Sequence, residues 1–351
     1  MKLTKPVVAC TADLHLGVHC DSPEWHKISL DFVEWLKDTL LKRNIQDIII
    51  AGDIFNNRNE VSVLTIDVLP KLFHILKDFN ITLIVGNHDC FFNDRADIHS
   101  IGSLDGWSNI TVVEKPTTIT AFGKVLTFCP WGTDLTTIPN SDTLFGHFEV
   151  QTFKMSTKSI CSKGLHPKQL FEKSKNVVSG HFHITDFRGY TEGQILYLGS
   201  PYELNWGDYM SPKGIYLYNI ETNNFEFVTN DKSPQHKKIN LSEIIALGKL
   251  PDNMKKEITG NIVNLVIDVQ IDEKVVEKIL DKLQILRPFS LKPDYVVEAE
   301  AIEVSTTKDF SGVDIRASLI EYIQSLENVE YKEETSKYMM EKLSQVEKEH
   351  A

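Results

Sequence analysis

Five short blocks of this chain set a carboxylate, an amide or a histidine where an apolar run stops: Asp13-Leu14-His15, Gly52-Asp53, Gly86-Asn87-His88-Asp89, Gly146-His147 and Gly180-His181-Phe182-His183. A single Gly-His pair would mean little, because a lone histidine is more often a hydrogen-bonded structural residue than a ligand. Five such blocks offer carboxylate, imidazole and amide oxygen from the ends of successive strands, where an open α/β sheet gathers its ligand site. Glycine lets the backbone turn sharply at such points, so the side chains can converge on one crevice. Asp13, His15, Asp53, Asn87, His147, His181 and His183 form a mixed nitrogen and oxygen donor set, suited to borderline divalent ions such as manganese, iron or zinc. Seven donors are too many for one open catalytic ion. They suit two ions about 3.5 to 4 Å apart, bridged by a carboxylate, the arrangement used for in-line attack on phosphate esters. In Asp-x-His and His-x-His, residues two apart project to the same side of an extended chain. The chemistry expected is phosphoester hydrolysis.

The elements around these blocks are of the kind that would position them. Over the first 130 or so residues, β-branched runs alternate with amphipathic stretches, the rhythm of a sheet covered by helices. Strands are expected at Val7–Thr11, Ile48–Ala51 and Ile81–Val85, with helices over Trp25–Arg43 and Val61–Phe79. From Ile110 to Phe128 the turns come faster, as in antiparallel hairpins. A helix is expected over His166–Lys173, and strands at Val177-Val178, Ile195–Leu198, Ile215–Ile220 and Phe225–Val228. Asn230–Lys238 is polar and interrupted by Pro234, which predicts a linker. Beyond it, a strand over Ile262–Ile271, a helix over Glu273–Leu286 capped by Asp272 and a strand over Tyr295–Ala299 make a small βαβ module. Apolar stripes over Val313–Leu326 and Met339–Val346 suggest either a helical hairpin packed on its own domain or a docking surface for a partner helix.

Composition sets the outer limits. With 351 residues, of which 42% are hydrophobic, 25% charged and 9% aromatic, the chain falls in the ordinary globular range, which excludes disorder as its main state. At roughly 100 to 200 residues per domain, two or three domains are expected. No apolar run approaches the roughly 20 residues that span a bilayer, and Met1 to Pro6 leads into a strand without an apolar signal core. The 5 cysteines are scattered and never spaced Cys-x-x-Cys, which argues against a disulfide framework or zinc ribbon and fits a reducing compartment. A net charge of -12 argues against coating nucleic acid by bulk charge. Lys154, Lys158, Lys163, Lys168, Lys173 and Lys175 still form a local basic run, either a solvated face or a contact for a phosphate backbone.

The five blocks, in this order, resemble the calcineurin-like metallophosphoesterase superfamily. Within it, Asp13-Leu14-His15-Leu16-Gly17, Gly52-Asp53-Ile54-Phe55 and the run Gly199-Ser200-Pro201-Tyr202-Glu203-Leu204-Asn205-Trp206-Gly207-Asp208 are similar to the SbcD-like recombination nucleases, in particular those of T-even-type phages. The likeness runs by motif from Lys5 to about Val228 and by layout over the rest. It implies an α/β (α+β) fold: a metallophosphoesterase sandwich of two mixed sheets flanked by helices over residues 1–235, a βαβ capping domain over 236–304 and a helical ATPase-docking tail over 305–351. Gly52-Asp53 is followed by Ile54-Phe55-Asn56-Asn57-Arg58 where Ser/Thr phosphatases carry Asp-Arg-Gly, which counts against protein phosphatase activity.

The resemblance further implies one ion on Asp13, His15 and His183, the other on Asn87, His147 and His181, and Asp53 bridging them. His88 is then no ligand but protonates or stabilises the leaving oxygen, with Asp89 orienting it. Tyr202 and Trp206 are either aromatic contacts near the phosphate or core, and His19, four residues past His15, flanks the metals. The activity implied is that of a two-metal DNA nuclease, a 3′ to 5′ double-strand exonuclease and single-strand endonuclease that processes ends in recombination, repair and replication. Its cofactors would be two divalent ions, Mn2+ or Mg2+. Its partners would be DNA and an SMC-like coiled-coil ATPase gripped by the C-terminal helices, with a homodimer inside a heterotetramer. It would work in the cytoplasm, the host's if the chain is viral, with no membrane association. A phosphomonoesterase, or a nucleotide or protein phosphatase of the same superfamily, is the alternative.

Overall fold

β-branched apolar runs stiffen into strands, and stripes of period 3.6 become the helices that cover them. The computed structural model describes residues 3–104, 106–296 and 336–340. β1 (Val7–Thr11), β2 (Asp47–Ile50), β3 (Asn80–Ile84) and β4 (Ile110–Val113) lie side by side in parallel. α1 (Pro23–Lys42) connects β1 to β2 and turns Ile28, Phe32, Leu36 and Leu40 inward, while α2 (Val63–Ile75) starts where the Ser62 hydroxyl accepts the Thr65 N–H. β5 (Thr117–Ala121) and β6 (Lys124–Cys129) form a hairpin closed by Phe122 and Gly123, both at positive φ as a two-residue hairpin turn requires. β4 was expected within such hairpins. It instead adds to the parallel edge beside β3, and the chain changes sheet between Val113 and Thr117.

The second sheet continues through β7 (Thr143–Gly146), β8 (Asn176–Ser179), β9 (Asp186–Gly189) and β10 (Gln194–Tyr197), with α3 (Pro167–Phe171) before β8. β11 (Gly214–Asn219) and β12 (Asn224–Thr229) then return to the first. Among the described residues this gives two six-stranded sheets, β12-β11-β1-β2-β3-β4 and β5-β6-β7-β8-β10-β9. Strand alternation sorts the core into layers. Val8, Cys10, Ile49 and Ile84 meet Phe128, Phe145, Val178 and Leu196 between the sheets; Ala9, Ile48, Ile50 and Leu83 pack beneath α1 and α2; Leu144, Val177 and Ile195 face away on the second sheet. The fold is a sandwich of two mixed sheets flanked by helices.

β13 (His236–Asn240), β14 (Ile262–Ile267) and β15 (Ser290–Tyr295) make a third, wholly parallel sheet. α4 (Leu241–Leu247), α5 (Asp252–Ile258) and α6 (Glu273–Gln284) accompany it, and the Asp272 side chain caps α6 by accepting the Lys274 N–H at 2.8 Å. This module has its own core of Ile239, Leu241, Ile258, Leu265, Val276 and Leu283, while Ile262 and Phe289 reach the core beneath α1. Two expectations shift here. The last described strand lies at Ser290–Tyr295 and tolerates Pro293 because β15 is an edge strand, and the part of the expected Tyr295–Ala299 strand beyond Val296 lies outside the described residues. The segment expected as a linker is pinned: Asn230 is buried, its amide donates to Pro201 O at 3.0 Å, and His236 opens β13.

Residues through Val296 belong to one compact unit, and the helical residues 336–340 belong to a second. The Val313–Leu326 stripe and most of Met339–Val346 lie outside the described residues. No described helix is long and apolar enough to cross a membrane.

Candidate metal centre

The residues singled out by type and spacing emerge just past strand ends. Asp13 and His15 follow β1, Asp53 follows β2, Asn87 and His88 follow β3, His147 follows β7, and His181 and His183 follow β8. Asp13, His15, Asp53 and His181 all adopt positive φ, at 58°, 49°, 55° and 93°. Non-glycine residues held there store strain that the surroundings must over-determine. Two glycines are demanded by packing: a Cβ at Gly52 would lie 2.3 Å from His147 Nδ1, and one at Gly86 would lie 2.2 Å from Asp53 Oδ1.

The side chains converge. Asp53 Oδ2 stands 3.2 Å from His147 Nε2 and 3.8 Å from His15 Nε2. His147 Nε2 and His181 Nδ1 approach Asn87 Oδ1 at 2.9 and 2.8 Å, and His183 Nε2 meets His15 Nε2 at 3.0 Å. Asp13 accepts the His181 backbone N–H at 3.0 and 3.2 Å. In each of the sets Asp13, His15, His183 and Asp53, His147, His181, the ligating atoms lie within 4.8 Å of one another. His147 Nδ1 donates to Ala51 O at 2.7 Å, which leaves Nε2 as the nitrogen available to a metal ion. Imidazole nitrogens meeting head to head beside carboxylate oxygens fit divalent cations better than they fit one another. Asp53 stands between the two sets.

Burial without compensation would neutralise these groups. It pushes Asp13 up to about 8, and together with the neighbouring histidines it drives His181 down to about 3 and His15 below the usual histidine range, while burial together with the Lys213 ammonium lowers His183. Burial also opposes charge on Asp53 and His147, but here the pair prevails: the histidines around Asp53 hold it well below the carboxylate range, and Asp53 raises His147 to about 9. Most of the imidazoles are therefore neutral and ready to ligate.

His88 donates its backbone N–H to Asp53 Oδ1 at 2.8 Å, and one of its ring nitrogens lies near the ligating atoms of His15 and Asp53. Its Nδ1 is paired with Asn56 O at 2.6 Å. Asp89 was expected to orient His88, and this is corrected by its contacts. Its carboxylate accepts four backbone N–H groups, those of Asp53, Ile54, Phe55 and Gly86, at 2.9 to 3.1 Å. Asp89 fastens the loops that carry the ligands; Asn56 aims the imidazole.

His19 stays outside the ligand sets, stacked on Trp25 at 4.0 Å with Nε2 on Leu204 O at 2.7 Å. Tyr202 is only 1% exposed, and its hydroxyl donates to Leu14 O at 2.5 Å. It has no surface to offer a substrate and supports the Asp13–His15 loop from behind. Trp206 packs edge-on against His236 at 4.7 Å. Of the basic run, Lys154, Lys158, Lys163, Lys168 and Lys175 are exposed, while Lys173 donates to Ile138 O at 3.0 Å. Three residues escaped the sequence reading: Asn56, Trp131, whose ring lies 5.1 Å from that of His181, and Lys213, which donates to His183 O at 2.6 Å. Trp131 follows the end of β6 and could have been found as one more strand terminus; the other two carry no local cue.

Residues 6–243 match the calcineurin-like phosphoesterase family. The chain belongs to that family. It is 33% identical over 231 residues to exonuclease subunit 1 of Enterobacteria phage T4, a match covering 62% of this chain and 66% of that one. The chain thus spans just under two thirds of that curated relative's length. Among solved structures, a novel archaeal phosphodiesterase aligns at TM-score 0.37 and 13% identity over 64% of this chain and 99% of that one. GAP50, the anchor in the inner membrane complex of Plasmodium, aligns at 0.40 and 12% over 64% and 85%. Both of these likenesses are too loose to bear on function.

Proposed function

We propose that this phosphoesterase is a metal-dependent DNA nuclease, a 3′ to 5′ exonuclease on duplex ends and an endonuclease on single strands, that prepares ends for recombination, repair and replication. The observation that carries the reading is the Asp53 carboxylate standing between two nitrogen-rich ligand sets. Asp13, His15 and His183 would hold one divalent ion, and Asn87, His147 and His181 the other, with Asp53 shared. Manganese or magnesium there would supply Lewis-acid stabilisation of the phosphate and of the in-line attack. The chain's own residues do the rest. Asp89 and Asp13 fix the loop backbones, Asn56 O holds Nδ1 of His88, and the remaining nitrogen of His88 delivers a proton to the departing sugar oxygen. The exposed lysines from Lys154 to Lys175 contact the phosphate backbone.

The relative's name, exonuclease subunit 1, supports a DNA substrate and assembly with a further subunit. That subunit is an SMC-like coiled-coil ATPase, gripped by the tail over 305–351 while the module over 236–304 caps the nuclease over 1–235, in a heterotetramer built on a nuclease dimer. Basic surface on the partner reconciles a net charge of -12 with a polyanionic substrate.

The decisive test is release of nucleotides from a 3′-end-labelled duplex in Mn2+, with EDTA, His88→Ser and a small aryl phosphodiester as controls. Metal-dependent release is expected, with His88→Ser slower by about 10² to 10⁴-fold while still binding metal. Hydrolysis of the small ester with none on DNA, alone or with the ATPase, would move the substrate to a nucleotide or a phosphomonoester. Wild-type rates in His88→Ser would remove His88 from the chemistry.

A further inference from the structure

Lys213 sits just before β11 and is 6% exposed. Nothing in the proposed reaction calls for a cation there, and an ammonium withdrawn from water is costly unless each of its donors finds a partner. All three do: Nζ donates to His183 O at 2.6 Å and Ser200 Oγ at 2.8 Å, and pairs with Asp208 Oδ1 at 3.1 Å. Asp208 is itself 2% exposed, and its other oxygen accepts the Leu204 N–H at 2.8 Å. The pair is therefore closed, with its charge balanced. Replacing a buried pair of this kind by apolar groups is often neutral or stabilising, so stability alone does not account for it.

Its geometry does. His183 O accepts from Lys213 Nζ and also from the Ser200 N–H at 3.1 Å, so the peptide following His183 is held from two directions. The Gly199–Ser200 turn is pressed against the same peptide: a Cβ at Gly199 would lie 2.9 Å from His183 O. Fixing that peptide fixes where the His183 imidazole points, and its Nε2 meets His15 Nε2 at 3.0 Å. The segment carrying Asp208 is anchored in turn, because Glu203 Oε2 accepts the backbone N–H of His236 at 2.6 Å and pairs with its Nδ1 at 2.7 Å. His147 is braced from behind by neutral groups alone: its Nδ1 rests on Ala51 O, and the Phe148 N–H that follows it donates to Ser179 Oγ at 2.9 Å.

We propose that Lys213, balanced by Asp208, is a positioning residue that holds His183 for the ion bound by Asp13, His15 and His183. The proposal rests on the two-ion reading. Its test is Mn2+ binding by the full chain, followed by calorimetry and by the electron paramagnetic resonance of the coupled ion pair. Wild type should bind two ions and show a coupled signal; failure of that control would sink the two-ion reading itself. Lys213→Met should weaken one site by about 10 to 100-fold and replace the coupled signal by that of a single ion. Lys213→Arg, which keeps charge and donors, should restore part of the loss. In a His183→Gln background Lys213→Met should add no further loss, whereas in His147→Gln it should weaken the remaining site by the same factor of about 10 to 100. Should Lys213→Met not fold, Asp208→Asn and Lys213→Arg decide by the same readouts. Equal weakening of both sites, or wild-type affinity at both, overturns the proposal.

Discussion

The two sheets contribute unequally to the candidate metal centre. The first supplies every oxygen donor of the proposed ligand sets, Asp13, Asp53 and Asn87, together with His15 and His88; the second supplies only the imidazoles of His147, His181 and His183. Their bracing differs in sign as well. The first sheet's loops are gathered by a buried carboxylate, Asp89, which accepts backbone N–H groups, whereas the carbonyl of His183 on the second sheet is held by a buried ammonium, Lys213, reaching over from the start of β11 in the first. The second sheet's ligands also lean on the first: His147 donates to Ala51 O, the His181 N–H donates to Asp13, and a Cβ at Gly180 would lie 2.1 Å from Ala51 O. The carboxylate that stands between the two sets, Asp53, also belongs to the first sheet. Damage to the first sheet's loops should disturb both halves of the centre, whereas damage to the second should be confined to its own ligand.

The widest break in that comparison is Asp53→Asn. Losing the shared carboxylate should empty both sites and abolish turnover, whereas His147→Gln should spare the site on Asp13, His15 and His183. Mn2+ stoichiometry by calorimetry separates the two, and one ion retained at full affinity by Asp53→Asn would refute the sharing. Next in size is Asp89→Ala, which leaves four buried N–H groups without their acceptor. At about 1 to 3 kcal/mol for each group left unpaired, the apo chain should unfold at lower denaturant and bind both ions more weakly. A variant as stable as wild type that lost only turnover would instead return Asp89 to His88.

Much of this was open to reading along the chain, for an identifiable reason. The ligand blocks sit at strand ends, and a strand end is marked locally by a β-branched run followed by glycine or a short polar residue, so Asp13 through His183 could be picked out individually. The layered sheets follow from the same alternation. What could not be read was supplied across long sequence separations. Asn56 aims a ring 32 positions away through its carbonyl, a group every residue possesses. Lys213 has the sequence context of any loop lysine and becomes distinctive only once β8 and β11 bring His183 O within reach. Asp89 misled because its neighbour in sequence, His88, is not its neighbour in hydrogen bonding. β13 was overlooked as an edge strand with two successive lysines, which resembles a linker until Ile262 pairs beside it.

The smallest effect concerns His147, where the two sheets meet. Burial opposes its proton, but the Asp53 carboxylate 3.2 Å away outweighs burial and raises its pKa from 6.5 to about 9. Without metal, the folded chain therefore keeps a proton that the unfolded chain has released between pH 6.5 and 9. Stability from this group is full below pH 6.5 and is lost as pH rises through 9. His147→Gln has no such proton to lose. In EDTA, the stability advantage of wild type over His147→Gln should accordingly shrink across that interval, as read from thermal unfolding at successive pH values. A difference that stays level would mean that His147 is neutral throughout, and that Asp53 holds the second sheet by geometry rather than by charge.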